Sequence, residues 1–112
     1  MARIDISRHV EADPASVALL LSGPTGRELW PDTELVLAPP QRSGVGFRVD
    51  FSVGEGYGRG RILIAASSDG PVASDVRLTL STADSLALSL RRASDEFVDG
   101  LVAAAQARSS AA

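Results

Sequence analysis

Residues 84–108 read DSLALSLRRASDEFVDGLVAAAQAR, and Leu86, Leu90, Ala93, Phe97, Leu101 and Ala105 recur at three- and four-residue intervals. That spacing places one apolar stripe along a helix. At about 1.5 Å per residue the helix would run roughly 37 Å, enough to cross a whole small sheet. The segment 85–90, Ser-Leu-Ala-Leu-Ser-Leu, also alternates as a strand would. Helix is the preferred reading, because Leu86 and Leu90 continue the stripe to Ala105 and the preceding residues lack the glycine or asparagine of a tight hairpin. Were 85–90 a strand, the helix would begin near Ser94. Residues 109–112 are expected to fray.

Upstream the period changes from helical to alternating. Residues 3–10 put Ile4, Ile6 and Val10 on one face and Arg3, Asp5, Ser7 and His9 on the other, the pattern of a half-buried strand. Arg8 falls on the apolar parity. Asp13-Pro14 reads as an N-cap followed by proline at the first helical position, and a helix over 14–22 buries Val17, Leu20 and Leu21 before Gly23-Pro24. Residues 24–32, containing Trp30, suggest one more helical turn ending before Pro31. A short edge strand is predicted over 33–38, ahead of Pro39-Pro40. Residues 44–53 alternate most clearly, with Val45, Phe47, Val49, Phe51 and Val53 on one face. A glycine-rich connection (54–60), a strand at 61–66, a turn at Ser67-Ser68-Asp69-Gly70-Pro71 and a strand at 75–81 follow. About five strands with short connections and no second crossover helix predict a mainly antiparallel sheet. The expected fold is α+β: a curved antiparallel sheet wrapped around a long C-terminal helix, with short helices after the first strand. Residues 1–112 are read as a single domain.

Composition narrows the function more by exclusion. The chain is 45% apolar, 22% charged and carries a net charge of −3, which fits a folded protein and not a nucleic-acid binder. No apolar run approaches the ~18 residues of a membrane span, and the start, Met-Ala-Arg-Ile-Asp, has no signal-like apolar core. A cytoplasmic location is the expectation. All 11 basic residues are arginine, which excludes lysine Schiff-base chemistry and a Walker phosphate loop. There is no cysteine and one histidine, His9, which exclude thiol catalysis, iron–sulfur clusters and a multi-histidine metal site. No metal and no cofactor are expected. Exclusive arginine use and abundant alanine suggest a GC-rich bacterial genome.

Two stretches carry a resemblance. One comprises residues 4–10, then Ala12-Asp13-Pro14-Ala15-Ser16-Val17 and Leu29-Trp30-Pro31. The other runs from Leu90-Arg91-Arg92 through Phe97, Leu101 and Ala105. Together they resemble the opening strand, the proline-started helix and the gripping C-terminal helix of the START-like helix-grip (SRPBCC) superfamily. The likeness is greatest to its bacterial polyketide cyclase/dehydrase-type and lipid-binding members. The resemblance covers roughly half the chain and contains no diagnostic catalytic motif. Members commonly run longer with more strands, so it implies a shortened hairpin and a smaller pocket between sheet and helix.

Gly54-Glu55-Gly56-Tyr57-Gly58-Arg59-Gly60 does not fit the dinucleotide fingerprint, because the third glycine is misplaced and a strand follows instead of a helix. It is read as a flexible hairpin or bulge, or as a mobile lid carrying Tyr57. Phe47, Phe51, Trp30 and Phe97 are the candidate aromatic lining, with Trp30 best suited to a pocket rim. Arg8 must reach solvent, pair with a carboxylate or meet a polar ligand group. The candidate ligand-binding set is thus Arg8, Trp30, Phe47, Phe51, Tyr57 and Phe97. Arg48, Asp50, Arg61, Asp75 and Arg77 are expected to pair across a solvated sheet face shared with His9. Asp95, Glu96 and Asp99 are read as solvating the last helix. No Gly-x-Ser-x-Gly elbow exists, and no catalytic residue is assigned.

Three functions compete. The leading one is a binding module for a small hydrophobic or amphipathic ligand, lipid or polyketide-like, between sheet and C-terminal helix. The second is a ring-closing or dehydrating enzyme using Arg8, His9 or Tyr57. The third is a regulatory protein with a filled pocket, acting through a homodimer or partner surface.

Overall fold

The computed structural model describes residues 1–23, 26, 28–30, 35–44, 46–54, 56–68 and 70–111. Strands β1 (Ala2–Val10), β2 (Leu35–Leu37), β3 (Gln41–Ser43), β4 (Gly46–Val53), β5 (Gly58–Ser67) and β6 (Gly70–Thr82) form one 6-stranded sheet. Helix α1 (Pro14–Ser22) follows β1, and α2 (Ala87–Ala111) closes the chain after a 3-10 turn at Asp84–Leu86. The strand order is β1-β6-β5-β4-β2, with β3 also on β4, and every pairing is antiparallel. The expected α+β fold, a sheet wrapped around a long C-terminal helix, is the one observed.

Register turns the alternation of separate strands into rows across the sheet. On the inner face Val49, Ile62, Leu78 and Ile6 lie side by side, and so do Phe51, Gly60, Leu80 and Ile4. A third row is Phe47, Ile64, Val76 and Arg8. The apolar members of the first row are buried to within 4% of complete, which removes their surface from water at about 25 cal/mol per Å².

The long helix lies along β1 and runs in the same direction. The terminal amine of Met1 meets Asp84 at 3.3 Å, Arg8 meets Asp95 and Asp99, and the Glu11 amide donates to Gln106 Oε1 at 3.2 Å. Its buried stripe is Leu90, Ser94, Phe97, Val98, Leu101 and Ala105. Residues 85–90 are therefore helical, in keeping with the stripe, with the first turn wound as 3-10. The helix reaches Ala111 where fraying was expected, consistent with the high helix propensity of its alanine-rich end. Asp13 caps α1 as read, accepting from the Ser16 amide at 3.2 Å.

Three expectations are corrected. The described residues form six strands, because Gln41–Ser43 pairs with β4; all three residues are exposed and polar, so no apolar period marks them. Only residues 54–57 separate β4 from β5, and Gly58 and Gly60 are strand residues on the buried parity. The last strand begins at Gly70, ahead of the predicted residue 75. Of the turn predicted over 24–32, Gly26 and Glu28 are helical, while 24, 25, 27, 31 and 32 lie outside the described residues, as do 33, 34 and Val45 of the predicted strands.

The glycines in β5 have a steric cause. A Cβ on Gly60 would sit 2.5 Å from Phe51 Cζ and closer still to the Thr79 carbonyl oxygen; one on Gly58 would sit 2.9 Å from Leu80 Cδ1. Phe51 thus lies across the strand where residue 60 has no side chain. Gly54, at φ 56°, and Gly56, at φ 81°, supply the left-handed turn positions. The Gly60→Ala variant should lose about 1–3 kcal/mol of unfolding free energy through overpacking against Phe51, measured by urea denaturation. An unchanged midpoint would show that the ring is free to move.

Candidate functional site

The concave face and the helix that covers it bring together part of the predicted aromatic set. Trp30, 5% exposed, stands between Phe51 and Phe97, with ring centroids 6.3 and 5.5 Å away and tilts of 49° and 57°. Such tilted pairs set ring edges against ring faces, as the aromatic quadrupole favours. Trp30 comes from the segment after α1, Phe51 from β4 and Phe97 from α2, so one cluster ties three elements.

The other predicted residues sit apart. Phe47 is half-buried in the row that contains Arg8, and the Arg42 guanidinium lies 5.9 Å from its ring centroid. Tyr57 is exposed in the β4–β5 turn, its ring over Gly54, while its carbonyl accepts from the Thr82 hydroxyl. Arg8 turns towards α2, where Nε donates to Asp99 at 3.2 Å and an Nη donates to Asp95 at 3.3 Å. Its other Nη donates to the Ser7 carbonyl at 2.9 Å. Of the fates open to an arginine on this parity, pairing with carboxylates is the one observed, and two of the acids read as solvating the helix are its partners. Arg8 lies near the end of β1 away from Ala2, whereas the strand following Tyr57 starts level with Ala2. The offset is six residues, about 20 Å of strand.

The residue that the sequence reading missed is Ser94. It is fully buried on the helix stripe, and its hydroxyl has no hydrogen-bond partner among the described residues. Other buried hydroxyls are satisfied: Ser74 donates to the Ala12 carbonyl at 2.6 Å and Thr82 to Tyr57. A signal was available, since Ser94 follows Leu90 by four residues in a stripe otherwise apolar. A groove of about 160 Å³ also opens between the end of α1 and β2, lined by Leu21, Ser22, Gly23, Leu37, Ala38 and Pro39.

The outer face holds the expected cross-strand pairs. Arg77 grips Asp5 at 2.6 Å, holding that carboxyl below its ordinary pKa through the hydrogen bond, and Arg61 meets Asp50 at 3.1 Å. His9 lies between Glu11, 2.8 Å from Nε2, and Asp75, 3.3 Å from Nδ1. The hydrogen bond to Glu11, then that to Asp75, raises its pKa above 6.5. Among the described residues, no three His, Cys, Asp or Glu side chains gather as a metal centre would require.

The fold is a helix grip. A hypothetical protein from Helicobacter pylori superposes with a TM-score of 0.68 at 11% identity, over 93% of this chain and 88% of its own. The Aha1 dimer from Colwellia psychrerythraea gives 0.64 at 14% identity, over 95% and 97%. The Zhui aromatase/cyclase from a Streptomyces species gives 0.56 at 13% identity, over 96% and 94%. At these identities the likeness concerns architecture. No family model matches the chain, and no curated protein sequence matches it. No helix among the described residues is long and apolar enough to cross a membrane.

Two outcomes follow from the charged pairs. His9 has its pKa raised on folding, so its contribution to stability is complete below pH 6.5 and fades as pH rises through the folded-state value. The difference in urea midpoint between the wild type and His9→Gln should therefore be largest below pH 6.5 and shrink in alkaline buffer. A pH-independent difference would contradict the cluster. Arg8→Met should cost no more than about 1 kcal/mol, because its side chain and both carboxylates are partly solvated. That cost should diminish in high salt; a salt-independent loss would mean that packing, not charge, holds the side chain.

Proposed function

We propose that the protein binds a small hydrophobic or amphipathic ligand, lipid- or polyketide-like, between the concave sheet and α2. The observation that carries this reading is the Ser94 hydroxyl, buried on the gripping helix without a partner among the described residues. Leaving a buried hydroxyl unpaired costs about 1–3 kcal/mol, and a ligand carbonyl or hydroxyl arriving there would recover it. The buried side chains of the interior are apolar and include the Trp30, Phe51 and Phe97 cluster, and apolar walls with few polar anchors are what small-molecule sites use. Phe47, Arg8 and Tyr57, outside the aromatic cluster, would act at the margins of such a site.

The aromatase/cyclase among the structures of this fold supports a polyketide-like ligand. A ring-closing or dehydrating reaction has less behind it: Arg8 points inward and is held by two carboxylates, His9 points outward, and Tyr57 lies at the other end of the sheet. A homodimer agrees with this reading, since the Colwellia protein of the same fold is a dimer.

The test is a titration with a fluorescent apolar probe, following probe emission and quenching of Trp30, the one tryptophan of the chain. Saturation near one probe per chain with Trp30 quenched, and displacement by fatty acids or polycyclic aromatics, is expected. Ser94→Ala should stabilise the free protein by up to about 1–3 kcal/mol while weakening ligands that carry a carbonyl. Non-saturating binding with Trp30 unaffected would replace this reading with a packed interior and a protein partner.

A further inference from the structure

We propose that the outer face of the sheet, opposite the grip, carries a second site that binds a phosphoryl group. The register builds it. Arg3 on β1 faces Ser81 on β6, Ser81 faces Arg59 on β5, and Arg59 faces Ser52 on β4. The two arginines thus stand two strand spacings apart, about 10 Å, with a serine between them. This row contains no acid.

The next row does contain acids, Asp5 and Asp50, and both are occupied: Asp5 by Arg77 and Asp50 by Arg61. Arg3 reaches Asp5 only through its charge at longer range, and neither Arg3 nor Arg59 has an ion pair or hydrogen bond among the described residues. Outward positions of β1, β4, β5 and β6 hold Arg3, Arg48, Arg59, Arg61 and Arg77 against Asp5, Asp50 and Asp75, a formal excess of two positive charges on a chain whose net charge is −3. Glu11, beside His9, offsets one of these charges, yet the face stays positive against the balance of the whole protein, and such a field raises the local concentration of anions.

A depression of about 330 Å³ marks the place, lined by Arg3, Arg61, Thr79 and Ser81 with the backbone of Gly60. Arg59 flanks it in the Arg3–Ser81 row. Two guanidinium forks and two hydroxyls offer more donors than a carboxylate can accept, whereas a phosphoryl dianion has three peripheral oxygens to receive them. The same chemistry belongs to a soluble phosphomonoester and to an anionic lipid headgroup.

The experiment is an NMR titration of the 15N-labelled full chain with inorganic phosphate at constant ionic strength. A parallel arm is sedimentation with phosphatidylcholine vesicles that contain or lack phosphatidic acid. Saturable shifts centred on residues 3, 59 and 81 are expected. Arg3→Gln and Arg59→Gln should each weaken binding about tenfold or more, as loss of a charged hydrogen bond does. Arg91→Gln, on the exposed side of α2, and Ser94→Ala, in the grip, should leave it unchanged. Sedimentation that needs phosphatidic acid and both arginines identifies a headgroup as the source; a response to phosphate alone identifies a soluble ligand. Silence in both arms, or a response that Arg91→Gln reduces as much as Arg3→Gln, would overturn the proposal. Because the probe of the grip reports through Trp30 on the other face, failure here and failure there are read separately.

Discussion

Phe51 crosses β5 where residue 60 has no side chain, and the interior is arranged around that steric allowance. A Cβ at position 60 would press on the Phe51 ring and on the Thr79 carbonyl, and Phe51 is one of the two aromatic neighbours of Trp30, the other being Phe97. The contact therefore runs from strand to loop to helix through three rings. It also accounts for the segment's composition: the glycines that look like a flexible loop are in part a packing device. In cores packed at crystal density, a single methyl group decides whether such an arrangement is available.

Charge is distributed with equal economy. On the inner face Arg8 lies at the margin where α2 supplies Asp95 and Asp99, and Arg42 lies over the Phe47 ring. The three contacts along β1, at Asp84, at Asp95 with Asp99, and at Gln106, set the helix parallel to the strand and fix its register lengthwise, though each is weak because it is solvated. Apolar burial supplies the stability, and these contacts add direction to it. The outer face repeats the principle across strands, with pairs at Asp5 and Asp50 that favour the observed register over a slipped one.

Period was the legible signal, and it carried most of the fold. Ile4, Ile6 and Val10, then Val49, Phe51 and Val53, were grouped on one face by alternation alone and are buried, and the stripe from Leu90 to Ala105 identified the gripping helix. Where period was absent the reading failed. Gln41–Ser43 is held in the sheet by backbone pairing, which leaves no trace in side-chain polarity, and Gly58 resembles a turn residue although it lies in a strand. The site was legible only as parts. Parity singled out Arg8, but its partners lie 87 and 91 residues away and are chosen by tertiary packing. The row of Arg3, Ser81 and Arg59 exists only once register is known.

Ser94 carries the energetic argument for the proposed site, because its buried hydroxyl is unpaired among the described residues. The stripe offers a position where alanine would pack without an unsatisfied group, and Ala93 beside it shows how little the helix would be disturbed. A chain of 112 residues has a net stability of order ten kcal/mol. An orphan hydroxyl worth one to three of those is a tenth or more of the total. The neighbouring buried hydroxyls, Ser74 and Thr82, each find a carbonyl, so the fold is able to satisfy such groups where their only role is structural. Under the proposed function, a group left unpaired among the described residues against that pattern is the one a ligand would meet.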